Sequence, residues 1–224
     1  MENKFTVLGV DFDMATAREL FKRTVEYLRG EALGTVEAVT KEMLIQGQED
    51  EKWQEWMCQM DLLVPQDQDI FEAAGITDGG VARDVQNGTY FRLLLKYLEK
   101  HECRVFLLAD DEEEMACLQD GLRRCGCALS ICGQAVLPAE SGQEEKVVNE
   151  INGALPVCVL STLSCPWQEK FIVHFKPLVN SKLWFGCRAC FESGEASGEN
   201  GGRLHRFFTK RLFRYLVGRE KESE

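Results

Sequence analysis

Basic charge is scarce in this chain: 26 Lys and Arg face 37 Asp and Glu, a formal net charge of −11. So acidic a body excludes broad nucleic-acid binding, because phosphate contacts need clustered basic side chains. Proline is scarce too, five in 224 residues, and with only 19 Gly the composition excludes collagen-like and linker-like chains. No apolar run approaches the length of a membrane span. Near the N-terminus the one apolar run, Phe5 to Val10, reads as a strand rather than a secretory leader. The three histidines, His101, His174 and His205, have no spacing that suggests a shared site. What remains, 45% hydrophobic and 28% charged residues, is a soluble globular chain long enough for one α/β domain with a modest appendage.

Cysteine is the abundant oddity, ten residues in all. Several lie inside apolar runs, such as Cys158 in PVCVL and Cys132 in LSIC, where a free thiol packs as a small hydrophobe. The reading is a reduced, cytosolic protein. A structural zinc site usually needs two close pairs. Here one CxxC (Cys187 to Cys190) and one CxC (Cys125 to Cys127) stand without a nearby His. No metal and no other cofactor is expected.

Short apolar runs alternate with amphipathic stretches. Strands are predicted at 5–10, 35–40, 61–64, 104–109, 128–132, 157–161 and 182–186. Most are continuously apolar, as parallel strands buried on both faces are. Helices are predicted near 14–29, 41–58, 88–101, 111–125, 141–154 and 165–176. Leu20, Phe21, Val25 and Leu28 form a 3.6-residue stripe in the first. Trp53, Trp56, Met57 and Met60 read as a core stripe in the second. Repeated βα units imply an α/β fold: an open, mainly parallel, Rossmann-like sheet with helices on both faces.

The C-terminal region differs. Residues 192–203 (ESGEASGENGGR) read as a flexible Gly/Ser-rich linker. From Arg203 to Lys221, seven Lys or Arg face one acid, about +6, leaving the rest near −17. Leu204, Phe207, Phe208, Leu212, Tyr215 and Leu216 fall at helical spacing, with Arg203, Arg206, Lys210, Arg211 and Arg214 on the other face. Two readings fit this basic amphipathic helix: a membrane-surface anchor, or a helix docked by its apolar face on the acidic body.

Ligands of open parallel sheets bind beyond the carboxyl ends of the strands. The most specific loop there is Leu160-Ser-Thr-Leu-Ser-Cys-Pro-Trp-Gln-Glu-Lys-Phe, which leaves a buried strand and opens a helix after Pro166. Its backbone N–H groups with the hydroxyls of Ser161, Thr162 and Ser164 suit an anion such as a diphosphate; an ordinary N-capped helix is the plainer alternative.

This segment resembles the Gly-Leu-Gly-x-Pro-Lys-Gln-Glu motif of the WecB/TagA/CpsF glycosyltransferase family. The lead-in Val147 to Asn152 and Pro156-Val-Cys-Val-Leu, the later Phe185-Gly186-Cys187-Arg188-Ala189-Cys190-Phe191-Glu192, and the strands Val7 to Val10 and Arg104 to Leu108 are similar in order and spacing. The chain is thus read as a domain over 1–191, the linker over 192–203 and the basic appendage over 204–224, and the resemblance implies that this appendage binds a membrane. It also implies inverting transfer of an N-acetylmannosamine-type sugar from a UDP donor to a polyprenyl-diphosphate-linked acceptor, without a tightly bound metal. Such chemistry asks for a carboxylate base and for donors to the departing diphosphate. The location implied is cytoplasmic, peripheral at the inner face of a cell membrane, and a homo-oligomer is an open expectation.

On that resemblance the catalytic candidates are Asp67 and Thr40, and the substrate-binding candidates are Gln66, Asp110, Thr162, Ser164, Gln168, Glu169 and Glu192. The site departs from the family pattern. Thr-Pro-Asn becomes Thr40-Lys41-Glu42, Pro-Asp-Gly becomes Pro65-Gln66-Asp67, Gly-Gly becomes Ala109-Asp110, and the motif lysine becomes Trp167. Two functions therefore stand side by side: an active transferase with Asp67 as a relocated base, or a catalytically silent homologue that binds a nucleotide sugar or a partner at the membrane. A haloacid-dehalogenase-type phosphatase, suggested by Asp11-Phe12-Asp13, is set aside because Ala15 stands where that motif needs Thr or Ser.

Overall fold

The computed structural model of the chain describes residues 4–76, 79–192 and 201–223. It opens with an antiparallel hairpin, β1 (Lys4–Val7) and β2 (Val10–Asp13), in register Phe5 to Phe12. This corrects the single strand expected over 5–10. Leu8 and Gly9 both take positive φ (51° and 75°), the geometry of a two-residue hairpin turn, so the chain reverses where the apolar run looked continuous.

Six parallel strands follow: β3 (Gly34–Val39), β4 (Leu62–Pro65), β5 (Arg104–Ala109), β6 (Ser130–Val136), β7 (Cys158–Ser161) and β8 (Leu183–Gly186). Their order is β4-β3-β8-β7-β5-β6. The open parallel sheet flanked by helices is the architecture that the sequence predicts. The central strands β3, β7 and β8 are buried throughout, the polar Thr35, Glu37 and Ser161 included.

On one face lie α1 (Ala17–Arg29), α6 (Thr89–Lys100), α7 (Glu112–Arg124) and the short α10 (Arg188–Glu192), contributing Leu20, Leu94, Leu98, Leu118 and Ala189. Thr16 and Glu19 cap α1 reciprocally, which explains its sharp start. On the other face lie α2 (Lys41–Gln46), α3 (Glu51–Met57), α8 (Glu144–Ala154), α9 (Trp167–Phe175) and α11 (Gly201–Ser223), contributing Leu44, Trp53, Ile151, Phe171 and Phe213. The single helix expected over 41–58 is instead broken between α2 and α3. A Cβ on Gly47 would lie 2.0 Å from the Trp53 ring, so the ring closes onto bare backbone there, and Asp50 caps a new helix by accepting from the Lys52 N–H at 2.9 Å. Two further helices, α4 (Gln68–Ala73) and α5 (Gly79–Gln86), had no counterpart in the sequence reading because six to eight residues carry little periodic signal.

All ten cysteines are free thiols. Cys158 and Cys187 are buried, and burial pushes both thiols up. No helix among the described residues is long and apolar enough to cross a membrane.

Candidate functional site

The carboxyl ends of β3, β8, β7 and β5 carry one aligned row: Glu37 pairs with Gly186, Gly186 with Ser161, and Ser161 with Leu108. Three groups of polar side chains gather at this edge, each with a different electrostatic character.

The first joins the loops after β3 and β4. Thr40 is the N-cap of α2, its hydroxyl accepting from the Met43 N–H at 3.3 Å. Asp67 heads α4, and its carboxylate is held twice by one residue: Oδ2 accepts from the Lys41 N–H at 2.8 Å and Oδ1 from Lys41 Nζ at 3.2 Å. Lys41 Nζ also reaches Asp69 at 3.2 Å and Glu42 at 3.8 Å. Burial pushes the ammonium's pKa down, but Asp67 and Glu42 outweigh it and hold Lys41 above its ordinary value. Gln66 turns away from Asp67, donating through Nε2 to the Val64 carbonyl at 3.4 Å. It lines a cleft with Pro65, Phe71, Asp84 and Tyr90 whose room is about 20 Å³.

The second group sits between the ends of β5 and β7, where the chain leaves to opposite faces of the sheet, through α7 and α9. Such a switch point is where doubly wound folds bind ligands. Here Arg188 occupies it, donating to Asp110 at 3.0 Å, to Glu114 at 3.0 Å and to the Thr162 carbonyl at 2.8 Å. Asp110 also accepts the Ser164 N–H at 3.2 Å, so one carboxylate staples the two loops together. Thr162 is buried, its hydroxyl 3.5 Å from the Leu108 carbonyl.

The third group is sealed. Gln168 and Glu169, expected to bind substrate, are 1% and 0% exposed and lie on the inner side of α9. Gln168 Nε2 donates to Glu37 Oε1 at 2.7 Å across Gly186, where a Cβ would stand 2.0 Å from Glu37 Oε2. The absence of a side chain at Gly186 therefore makes room for this bridge. Burial and the neighbouring Glu169 hold the Glu37 carboxyl well above its ordinary value, against the pull of Gln168. Burial likewise raises Glu169 to about 7, although the helix start, the Trp53 indole and the Cys165 thiol draw it down.

The C-terminal helix is docked. Phe213 and Val217 are buried in the core. Lys210 meets Asp69 at 2.5 Å and Glu72 at 3.7 Å, and Arg214 meets Glu72 at 3.3 Å. Glu220 accepts the N–H groups of both Leu8 and Gly9 at 2.8 Å. Arg211, Leu212 and Tyr215 face solvent. The side chains of Glu192, Arg203 and Arg206 lie outside the described residues.

The structure thus brings Thr40 and Asp67 together, places Asp110, Thr162 and Ser164 in a second group, and buries Gln168 with Glu169. Sequence reasoning missed Lys41, Arg188, Glu37 and Gly186. Glu37 had a signal: it is the one charged residue in a strand otherwise made of Gly, Thr, Val and Ala. Arg188 had none beyond its place after a strand. Among the described residues, no group of three His, Cys, Asp or Glu is positioned to hold a metal ion.

The comparison with known families agrees with this architecture. The model of the glycosyl transferase WecG/TagA/CpsF family matches residues 5–196. The chain belongs to that family. No curated protein matches it. The match covers the hairpin, the whole sheet and α10, and it ends before α11, so the docked helix lies beyond the matched region.

Proposed function

We propose that this family member transfers an N-acetylmannosamine-type sugar from UDP to a polyprenyl-diphosphate-linked acceptor, with Asp67 as the base. The observation that supports this reading is the Thr40–Lys41–Asp67 group, which sets a carboxylate and an ammonium side by side at the strand ends. In the proposed step Asp67 takes the proton of the acceptor hydroxyl while that oxygen attacks the anomeric carbon. The bond from that carbon to the diphosphate oxygen breaks, the configuration inverts, and UDP departs with the electron pair. Lys41 supplies positive charge beside the leaving diphosphate. The acceptor's lipid would bring the protein to the inner face of a cell membrane, where Arg211 and the exposed edge of α11 would meet anionic headgroups.

A second reading, a silent homologue that binds a nucleotide sugar or partner, has its own support. Both Asp67 oxygens are already engaged by Lys41, and Gln66 cannot act as a base. Arg188 is tied to two carboxylates at the switch point. The cleft at Gln66, about 20 Å³, is far below the roughly 300–1,000 Å³ of ordinary ligand pockets. One experiment separates the two: incubation with UDP-N-acetylmannosamine and lipid-linked acceptor, following UDP release, beside a direct measurement of UDP binding. Release that disappears in Asp67→Asn supports transfer. Binding of UDP without release refutes transfer and leaves the binding module standing.

A further inference from the structure

A groove runs between α9, α3 and the loop that joins β6 to α8, and none of the three polar groups at the strand ends lines it except through α9 itself. Its room is about 700 Å³, far more than the cleft at Gln66 and within the roughly 300–1,000 Å³ of ordinary ligand pockets. The walls are aromatic. Trp167, Phe171 and Phe175 recur every fourth residue and so share one face of α9, their ring centroids 6.1 Å and 5.0 Å apart in turn. Phe171 is buried against Trp184, whereas Phe175 and Trp56 of α3 are half-buried and keep ring surface open to the groove. Trp167 stands where the resembled motif carries lysine, so this wall belongs to the chain's own departure from that pattern. The charged groups are few and sit at the rim. Lys170 Nζ lies 5.6 Å from the Trp167 ring centroid and 3.3 Å from Glu140 Oε1, and Glu144 adds a second carboxylate at the start of α8.

This lining selects among ligand classes. Two carboxylates against one ammonium disfavour phosphates and other anions. A second cation would meet Lys170, whose ammonium already lies over the Trp167 ring. A saturated lipid chain would cover the rings but strip water from Lys170 and both glutamates without replacing their hydrogen bonds. A pyranose ring meets each demand. Its C–H face is apolar and lies flat on an aromatic ring, while its edge carries hydroxyls that donate to carboxylates and accept from an ammonium. We propose that the groove is a binding site for a short neutral saccharide. Trp56 and Phe175 are the stacking surfaces, and Glu140, Glu144 and Lys170 hydrogen-bond the hydroxyls at the rim. The site is distinct from the Asp67 group and stands whether or not the chain transfers a sugar.

The four tryptophans supply a test that needs no variant. Trp56 and Trp167 line the groove, whereas Trp53 and Trp184 are fully buried and do not. In NMR spectra of the full chain carrying isotope-labelled tryptophan, titration with N,N′-diacetylchitobiose and with cellobiose, both neutral disaccharides, is expected to shift the indole N–H signals of Trp56 and Trp167 saturably. Those of Trp53 and Trp184 should stay in place. Trp56→Ala should weaken binding roughly tenfold, with the Trp53 and Trp184 signals unmoved as proof of an intact fold. UDP and choline, the anionic and cationic comparisons, should leave the groove signals where they are. No saturable shift with either disaccharide up to about 50 mM, a shift of all four indoles together, or undiminished binding in Trp56→Ala overturns the proposal. A shift with choline but neither disaccharide makes the groove a cation site, and a saturable shift with UDP makes it part of a nucleotide site; either overturns it too. UDP release is not measured here, so failure of the transfer reading and failure of this site are told apart.

Discussion

Replacing Gly186 by Ala tests the sealed group at its tightest point. Gly186 does not have a positive φ, so its backbone suits alanine, and by propensity alone the change should stabilise a strand interior by about 0.5–1 kcal/mol. Sterics predict the opposite. The new methyl would stand 2.0 Å from Glu37 Oε2 and 2.3 Å from Gln168 Nε2, and Glu37 is the direct register partner of Gly186 on the neighbouring strand. Neither side chain has solvent to retreat into. Forcing them apart breaks their 2.7 Å hydrogen bond, and leaving buried polar groups unsatisfied costs about 1–3 kcal/mol. Overpacking adds roughly 1–3 kcal/mol. The expected net loss is about 3 kcal/mol, a fall in Tm on the order of 6–12 °C for a chain of this size. Urea and thermal denaturation measure it, and Glu37→Ala supplies the control: in that background the cost of Gly186→Ala should shrink below about 1 kcal/mol. A neutral or stabilising Gly186→Ala, or an equal cost with and without the Glu37 carboxyl, refutes the argument.

Three other outcomes follow from the same contacts. The raised Glu169 carboxyl binds its proton more tightly in the folded chain, so its contribution is intact near pH 4.5 and is lost as pH rises towards 7. At about 1.4 kcal/mol per unit, Glu169→Gln should gain on the order of 3 kcal/mol over wild type at pH 8 and little at pH 4.5, which urea titrations at the two pH values decide. Truncating buried Phe213 to Ala should unseat α11, and limited proteolysis should then cut the C-terminal helix at a concentration that leaves wild type whole. Arg188→Ala leaves Asp110 and Glu114 facing each other without their cation, so the loops after β5 and β7 should exchange amide hydrogens faster while the core strands stay protected.

Much of the fold was legible because its signals are periodic or compositional. The strand at 104–109 was placed to the residue, since an apolar run bounded by Cys103 and Asp110 leaves little choice. The parallel sheet followed from runs without alternation. What failed was punctuation. Gly9 read as part of a strand and Gly47 as part of a helix, yet one turns a hairpin and the other admits the Trp53 ring. The site was less legible for a related reason. The Pro-x-Gln-Glu segment and the Thr40 and Asp67 positions could be found by resemblance, but a motif does not say whether a side chain faces the cleft or the core. Gln168 and Glu169 lie on the buried side of α9 because Trp167, Phe171 and Ile172 anchor that helix face against the sheet. In the C-terminal segment the docking contacts are Lys210 on Asp69 and Arg214 on Glu72, with Phe213 buried in the core.

Three acids at one sheet edge show how the placing of cations decides the chemistry. Asp67 stands beside Lys41 and is partly solvated, its carboxylate held in an ion pair at the strand ends. Asp110 has Arg188 and a backbone N–H, so it serves as a mechanical link between two loops. Glu169 is fully buried with no cation beside it among the described residues, and burial outweighs the helix start and the Trp53 indole. Equivalent carboxyls thus differ by their neighbours: Asp67 is paired with Lys41, Asp110 with Arg188, and Glu169 is buried beside Glu37. Moving one cation should move one role: Lys41→Met, which keeps the stem and removes the charge, should free Asp67. If Asp67 is the transfer base, the rate of UDP release should change in Lys41→Met while the half-point for Glu169 stays put. If the Glu169 half-point moves as well, the acids at this edge are not independent of one another.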